Sequence, residues 1–451
     1  MDFLLHHTVV KYLAQSFWRD EAFSWAMAAR GFEAIPLTAR DFNPPLYYLL
    51  LALWMSVVGT SELAIRSLSL IFFVATMWVA WRYLRDCLDV PSSRAGVYLL
   101  LIGVNPFRLY YAVEARMYSM LAFFAAASFY SFQTRRPVLY VVATLAGLYT
   151  HYFMVFVPLV QLAAVVIESR AWSVLRRRAV VLAVPLLLFA PWLLISLSNK
   201  TEAAFWADPP GWRFGVHLLT AIFTGHDPTY GFLDRTERWL FVLGLVPAGL
   251  LGMRALYRAG GDRFGAILTI ALWGLLPPLV VFAISMVKPV FVPRYLIFCT
   301  LGLLLFFVAG LERVRPMVRA MVVAVLFALS LGYQAAQAHR HTKGDYRGTI
   351  SEIERQARAD DLLYVSNQLD FFPALYYFDA SRVYLVGHRM EEIAPYVGKV
   401  LIPAPRVMAT LPDNAPPGFV LRNDHEFERT MGGTRLAMQG ESNSGTSKAK
   451  R

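Results

Sequence analysis

Charge is what this 451-residue chain has little of. Only 16% of its residues are Asp, Glu, Lys or Arg, against about a quarter in ordinary soluble domains. Cysteine is nearly absent: Cys87 falls in a short polar stretch and Cys299 in an apolar run. Two such residues give no disulfide framework. No cluster of His and Cys at metal-ligand spacing occurs; a carboxylate site could still hold a divalent ion, but no metal and no other cofactor is expected. Cleavage by a signal peptidase is not expected either. "MDFLLHHTVVKYLAQ" places two histidines and a lysine where an uninterrupted apolar core belongs. No glycine-rich phosphate loop interrupts the last hundred residues, so that region is assigned no nucleotide. No internal repeat is visible.

What is present in quantity is hydrophobic side chain, 57% of the sequence, with 14% aromatic and a mean hydropathy of +0.46. These values describe a polytopic membrane protein. A span needs about 20 apolar residues, roughly 17 to 25. Ten candidates lie near residues 63–82, 94–111, 117–133, 137–151, 152–168, 179–198, 238–257, 264–286, 295–311 and 317–336. Residues 45–59, "PLYYLLLALWMSVVG", are apolar but short, and are expected to form an interfacial helix.

The net charge of +12 would point to nucleic acid in a soluble protein. Here it is accounted for by arginines between spans, and no nucleic-acid partner is expected. One alternate set of loops holds Arg82, Arg85, Arg94, Arg135, Arg136, Arg170, Arg176, Arg177, Arg178, Arg254, Arg258, Arg263, Arg313, Arg315 and Arg319. That is about 15 in roughly 50 residues, against about 8 Lys or Arg in roughly 65 on the other side, which makes the first set cytoplasmic. Residues 1–62 then share the outer side with everything after 336. Residues 1–18 are too short and polar to be the span that would normally carry such a segment across, and a start placed late is the expectation.

The chain therefore divides into a first outer loop (1–62), a transmembrane helical domain (63–336), an outer α/β domain (337–440) and a disordered tail (441–451). In the third part "DYRGTISEIERQAR" has an amphipathic helical pattern. "DLLYVSN", "RVYLVG", "KVLIPA" and "GFVLRN" are short apolar runs, and "DFFPALYYF" and "MEEIAPYV" can be helices between them. Strands alternating with helices suggest a small parallel sheet.

The outer side gathers ionisable groups at membrane depth, where they are costly and usually functional. They are Asp20, Glu21, Asp41 and Asn43 in the first loop, Glu114 and Arg116 in "YYAVEARMYS", His151 in "YTHYF", and Lys288 and Arg294 in "VKPVFVPRYL". Simpler roles compete with function. Asp20 suits a helix N-cap, His151 can cap a boundary between two spans, and Arg294 can snorkel. Tyr110, Tyr111 and Tyr118 fit an interfacial aromatic belt.

Taken together, "FWRDEAFSWAMAA", "DFNPPLYYLLLALWMSVVGTSELAIRSLSL" and "YYAVEARMYSMLAFF" resemble the dolichyl-phosphate-mannose protein mannosyltransferase-like group. That group includes the bacterial aminoarabinose transferases and belongs to the glycosyltransferase C superfamily. Its W-x-D-E-A, (H/N)-P-P-L-Y-Y, G-x-S-E-x-A-x-R and E-A-R-x-Y patterns stand here in order, with Asn43 where many members carry His. The resemblance implies an α-helical multi-pass protein of the bacterial plasma membrane. It implies inverting transfer of a sugar from a polyprenyl-phosphate donor to a lipid, glycan or protein acceptor at the outer face. Asp20 is then the general base, with Glu21 holding the loop or acceptor and Glu114 beside them. Arg116, Arg294, Lys288 and His151 bind donor phosphate, and Asn43, Tyr118 and Tyr295 belong to the substrate loop. A lipid or sugar transporter, or a non-catalytic scaffold, is the alternative. Topology is checked by cysteine-accessibility labelling of intact cells: positions in 200–236 should react from outside, and positions in 170–178 should not.

Overall fold

The computed structural model describes residues 8–169, 172–199, 247 and 249–430. Its contacts divide the chain into two units. One comprises residues up to 15 together with 27–343, and the other joins residues 16–26 to everything from 344 onward. The protein is an α-helical multi-pass membrane protein with a small sheet-containing C-terminal part.

After a short helical turn at Val10–Ala14, helix α1 (Arg19–Ala28) carries the acidic pair, and its residues up to Ala26 belong to the second unit. The membrane unit runs through α2 (Leu46–Val58), α3 (Glu62–Asp86), α4 (Ser92–Gly103), α5 (Pro106–Ala112) and α6 (Tyr118–Gln133). It then runs through α7 (Pro137–Leu148), α8 (Phe156–Glu168), α9 (Trp172–Asn199), α10 (Gly261–Ser285), α11 (Ile297–Leu311) and α12 (Pro316–Arg340). Among the described residues, five helical stretches are long and apolar enough to cross a membrane: α3, α9, α10, Pro293–Leu311 and Pro316–His339. Shorter apolar helices, Leu46–Val58, Pro137–Leu148 and Tyr152–Glu168, accompany them. The expected interfacial stretch at 45–59 is α2. Half of the expected span at 238–257 lies outside the described residues.

One expected span is two helices. The run 94–111 breaks after Gly103, because Asn105 caps a new helix by accepting the Arg108 N–H at 3.1 Å and Pro106 takes its first position. Proline there forfeits only an N–H that the helix would leave unbonded. α6 has 16 residues and α7 has 12. At 1.5 Å per residue they rise about 24 and 18 Å, less than the roughly 30 Å of a bilayer core.

α3 packs on α6, α6 on α7, and α10 on α11. Phe129 of α6 stacks on Trp273 of α10 at a centroid separation of 4.1 Å. α10 and α11 meet main chain to main chain. A Cβ on Gly302 would lie 2.8 Å from the Gly274 nitrogen, and one on Gly274 would lie 2.7 Å from the Leu303 nitrogen. In lipid there is little hydrophobic gain from joining apolar helices, so such close backbone approach supplies the packing energy.

The second unit holds a five-stranded sheet of β1 (Leu362–Val365), β2 (Val383–Val386), β3 (Val407–Met408), β4 (Gly418–Leu421) and β5 (Phe427–Thr430). The spatial order is β3-β2-β1-β4-β5. All pairs are parallel except β4 with β5. The helix α13 (Tyr346–Gln356) buries Tyr346, Ile350 and Ile353, and its Asp345 cap accepts the Gly348 N–H. "DFFPALYYF" forms α14 (Phe371–Tyr377). Two expectations fail here. "KVLIPA" is a 3₁₀ turn (Lys399–Leu401) rather than a strand, and "MEEIAPYV" is two 3₁₀ turns, Met390–Glu392 and Pro395–Val397, rather than a helix. Pro395, the left-handed Gly398 (φ +88°) and Pro403 break the chain into pieces too short for either.

Gly302→Leu should lower the thermal midpoint of the detergent-solubilised protein by the equivalent of about 1–3 kcal/mol, the usual cost of overpacking. Gly332→Ala, at a position with nothing within 4 Å, should leave the midpoint unchanged. Both are read by intrinsic fluorescence on heating.

Candidate active site

The polar residues of the membrane unit gather where apolar helices end. Between α5 and α6 the chain makes a tight bend in which the Arg116 N–H donates to the Glu114 carbonyl at 2.7 Å. α3 fixes this bend from the side, with the Ser69 hydroxyl donating to the Arg116 carbonyl at 3.2 Å. Glu114 and Arg116 are buried, at 1% and 7% exposure. An ionisable pair so enclosed must be compensated by neighbours.

The neighbours are aromatic and polar. The Arg116 guanidinium lies 5.9 Å from the Tyr118 ring centroid. Tyr118 is 6.3 Å from Tyr295 and 6.5 Å from His151, and His151 is 5.0 Å from Tyr295. The Arg294 guanidinium lies 5.9 Å from the Tyr295 ring. Arg116, His151 and Arg294 are thus brought around two tyrosines, although up to 178 residues separate them (294 − 116). Buried Asn43 stands just ahead of α2. Lys288, on the connection between α10 and Arg294, is exposed.

His151 fulfils the simpler role considered for it. Its Nδ1 accepts the Phe153 N–H at 3.1 Å and caps the 3₁₀ turn Tyr152–Val155. That places the ring proton on Nε2, so the imidazole offers one donor and no charge. Just ahead of this turn, at the end of α7, the Tyr149 carbonyl accepts the Leu46 N–H from the start of α2 at 3.0 Å.

One residue not singled out from sequence belongs to this ring. Tyr48 is wholly buried and lies within electrostatic reach of Asp41, Arg116 and Tyr118. Asp41 is itself buried. The signal was available in "DFNPPLYY", where the acid precedes the proline pair and the tyrosines follow it. Arg66, from "SELAIR", is also wholly buried and donates to the carbonyls of Leu13 and Gln15 at 3.1 and 2.7 Å.

Asp20 and Glu21 belong to the second unit. Both sit in the first turn of α1, where carboxylates favour the helix dipole. Glu21 is fully buried and Asp20 half-buried, as adjacent residues about 100° apart on a helix should be. The aromatic residues around them dock on α14. Phe17 packs on Tyr376 at 4.7 Å, Trp25 on Tyr376 at 5.0 Å and Phe23 on Phe372 at 5.2 Å. Arg19 Nε donates to Asp370 at 2.7 Å, and the Tyr346 hydroxyl donates to the same oxygen at 2.7 Å. Burial opposes the Arg19 charge, but Tyr346 and Asp370 outweigh it and raise the guanidinium above its ordinary range.

Residues 43–195 match the family model of the dolichyl-phosphate-mannose-protein mannosyltransferases. The matched span takes in the motifs at Asn43–Tyr48, Ser61–Arg66 and Glu114–Tyr118, and Asp20 and Glu21 precede it. Among solved structures, the crystal structure of ArnT from Cupriavidus metallidurans in the apo state aligns at a TM-score of 0.65 and 15% identity, covering 90% of this chain and 88% of that one. The same protein bound to undecaprenyl phosphate aligns at 0.63 and 14% identity, covering 91% of each chain. The chain thus shares the fold of these structures over nearly its whole length. No curated protein sequence matches it.

Arg19→Ala should cost about 1.5–3 kcal/mol, the range for hydrogen bonds to charged groups, and Tyr346→Phe about 0.5–1.5 kcal/mol. Trp18 and Trp25 flank the site, so tryptophan fluorescence on thermal unfolding measures both. An unchanged midpoint for Arg19→Ala would mean that the aromatic contacts alone hold the segment.

Proposed function

We propose that this protein transfers a sugar from a polyprenyl-phosphate-linked donor to a hydroxyl of a lipid, glycan or protein, with inversion, at the outer face of the bacterial plasma membrane. The observation that supports this reading most is the gathering of Arg116 and Arg294 around Tyr118 and Tyr295, at the ends of apolar helices. A lipid phosphate needs that combination: cations for its head beside hydrocarbon for its tail. The fold shared with a protein crystallised with undecaprenyl phosphate agrees with it.

In this reading the acceptor oxygen attacks the anomeric carbon from the face opposite the phosphate. The carbon–oxygen bond to phosphate breaks, and the departing polyprenyl phosphate keeps the electron pair. Arg116 and Arg294 stabilise the charge that develops there, and Lys288 adds to their field. His151 contributes its single Nε2–H. Asp20 takes the acceptor proton, a role that requires a carboxylate within hydrogen-bond reach of the hydroxyl. Glu21 holds the loop or the acceptor, and Glu114 is the next candidate base. Asn43, Tyr118 and Tyr295 line the substrate. The arginines, rather than a metal, carry the compensating charge.

Asp20→Asn keeps shape and removes the base. It should leave binding of undecaprenyl phosphate unchanged while lowering transfer about 10²–10⁴-fold. Arg116→Ala and Arg294→Ala should weaken that binding about 10- to 100-fold, as loss of a charge-assisted bond implies. Lysine at either position should restore charge without the two-pronged phosphate contact. Native mass spectrometry with undecaprenyl phosphate measures binding. Mass spectrometry of envelope glycans and lipids from a deletion strain carrying each variant measures transfer. Full activity from a stable Asp20→Asn protein would move the base to Glu114.

A further inference from the structure

Away from the ring of tyrosines, at the end of the membrane unit where α4 begins and α11 passes into α12, lies an ion cluster with no part in the proposed chemistry. Glu312 accepts two bonds from Arg94 Nε at 3.0 and 3.2 Å, one from Arg94 Nη2 at 2.8 Å and one from the Tyr98 hydroxyl at 2.7 Å. Arg319 stands 3.6 Å from the same carboxylate. One negative charge is therefore shared between two guanidiniums, and exposed Arg313 and Arg315 follow it directly in the chain. The corner carries a surplus of positive charge.

From this corner a groove of 390 Å³ runs between α4 and α12. Arg94, Tyr98 and Arg319 line one end, and Val97, Leu100, Ala320, Val323, Ala324 and Phe327 line the rest. Val97 and Leu100 are 48% and 64% exposed, so the groove opens to whatever surrounds the helices. From Pro316 to Phe327, α12 rises about 16 Å. Half of a bilayer core is about 15 Å. The groove is thus one leaflet deep, apolar along its length and cationic at its end.

We propose that this groove holds an anionic phospholipid of the leaflet that borders the Arg94–Arg319 end, one acyl chain lying along α12 and the headgroup phosphate meeting the arginines. A guanidinium presents a planar fork matched to phosphate oxygens. Because Glu312 is already oversubscribed, a second anion answers the remaining charge. A phospholipid satisfies both halves of the groove at once, whereas a zwitterionic lipid brings its own ammonium to the arginines.

The test is native mass spectrometry of the full chain released from detergent supplemented with phosphatidylglycerol or phosphatidylcholine. The wild type should retain one phosphatidylglycerol at least tenfold more than phosphatidylcholine. Ala324→Trp, made at an exposed position, should fill the groove and lose that adduct with the lipid-free thermal midpoint unchanged. Arg319→Gln should keep an adduct but lose the preference between the two lipids. Equal retention of both lipids by the wild type would overturn the proposal, as would an adduct that survives Ala324→Trp. Displacement of phosphatidylglycerol by equimolar undecaprenyl phosphate would assign the adduct to another site and overturn it. So would a dimer, seen by light scattering, that Ala324→Trp converts to monomer, since a second copy would then be the occupant.

Discussion

The Asp370 carboxylate is wholly enclosed, and an isolated charge there would cost several kcal/mol. Arg19 and Tyr346 make it tolerable. They come from opposite ends of the sequence, so one buried oxygen binds the start of α1 to the first turn of α13 and to the loop leading into α14. The aromatic packing of Phe17, Phe23 and Trp25 follows from that attachment. So does the division of the chain, in which eleven residues near the start (16–26) belong with the C-terminal sheet and not with the helices that flank them in sequence. The acidic pair is part of this arrangement: Asp20 and Glu21 occupy a helix turn whose first residue is the anchored arginine.

The membrane unit obeys a different constraint. Lipid offers no partner to a free peptide group, so each spanning segment must close its own hydrogen bonds as a helix. Apolar runs are for that reason the most readable feature of the sequence, and the helices near 63–82, 179–198, 264–286 and 317–336 stand close to where hydropathy puts them. The break at Asn105 was missed because apolar residues continue on both sides of it; the Asn-Pro pair was the available sign. In the second unit β1, β2 and β4 are apolar runs and could be read. β3 has two residues, and β5, "FERT", is mostly polar. Strands of that kind are defined by the neighbour they pair with.

The ring around Tyr118 and Tyr295 was legible in part for a chemical reason. Buried ionisable groups are rare in apolar sequence, so Glu114, Arg116, His151 and Arg294 stand out one by one. Which of them face one another is a matter of tertiary structure, and so is the state of each. His151 looked like a cation, but the backbone N–H of Phe153 occupies its Nδ1. Nothing local announced Asp370 as the partner of Arg19, because 351 residues separate them.

Arg66, wholly buried, serves the chain that precedes α1. Its guanidinium reaches back across the chain to the carbonyl oxygens of Leu13 and Gln15. Recruiting Arg66 to an anion would break both of these bonds. The fourth residue after Glu62 in "SELAIR" is therefore a clasp for the preceding chain, and a change there would be felt first in how residues 8–15 are held within the membrane unit.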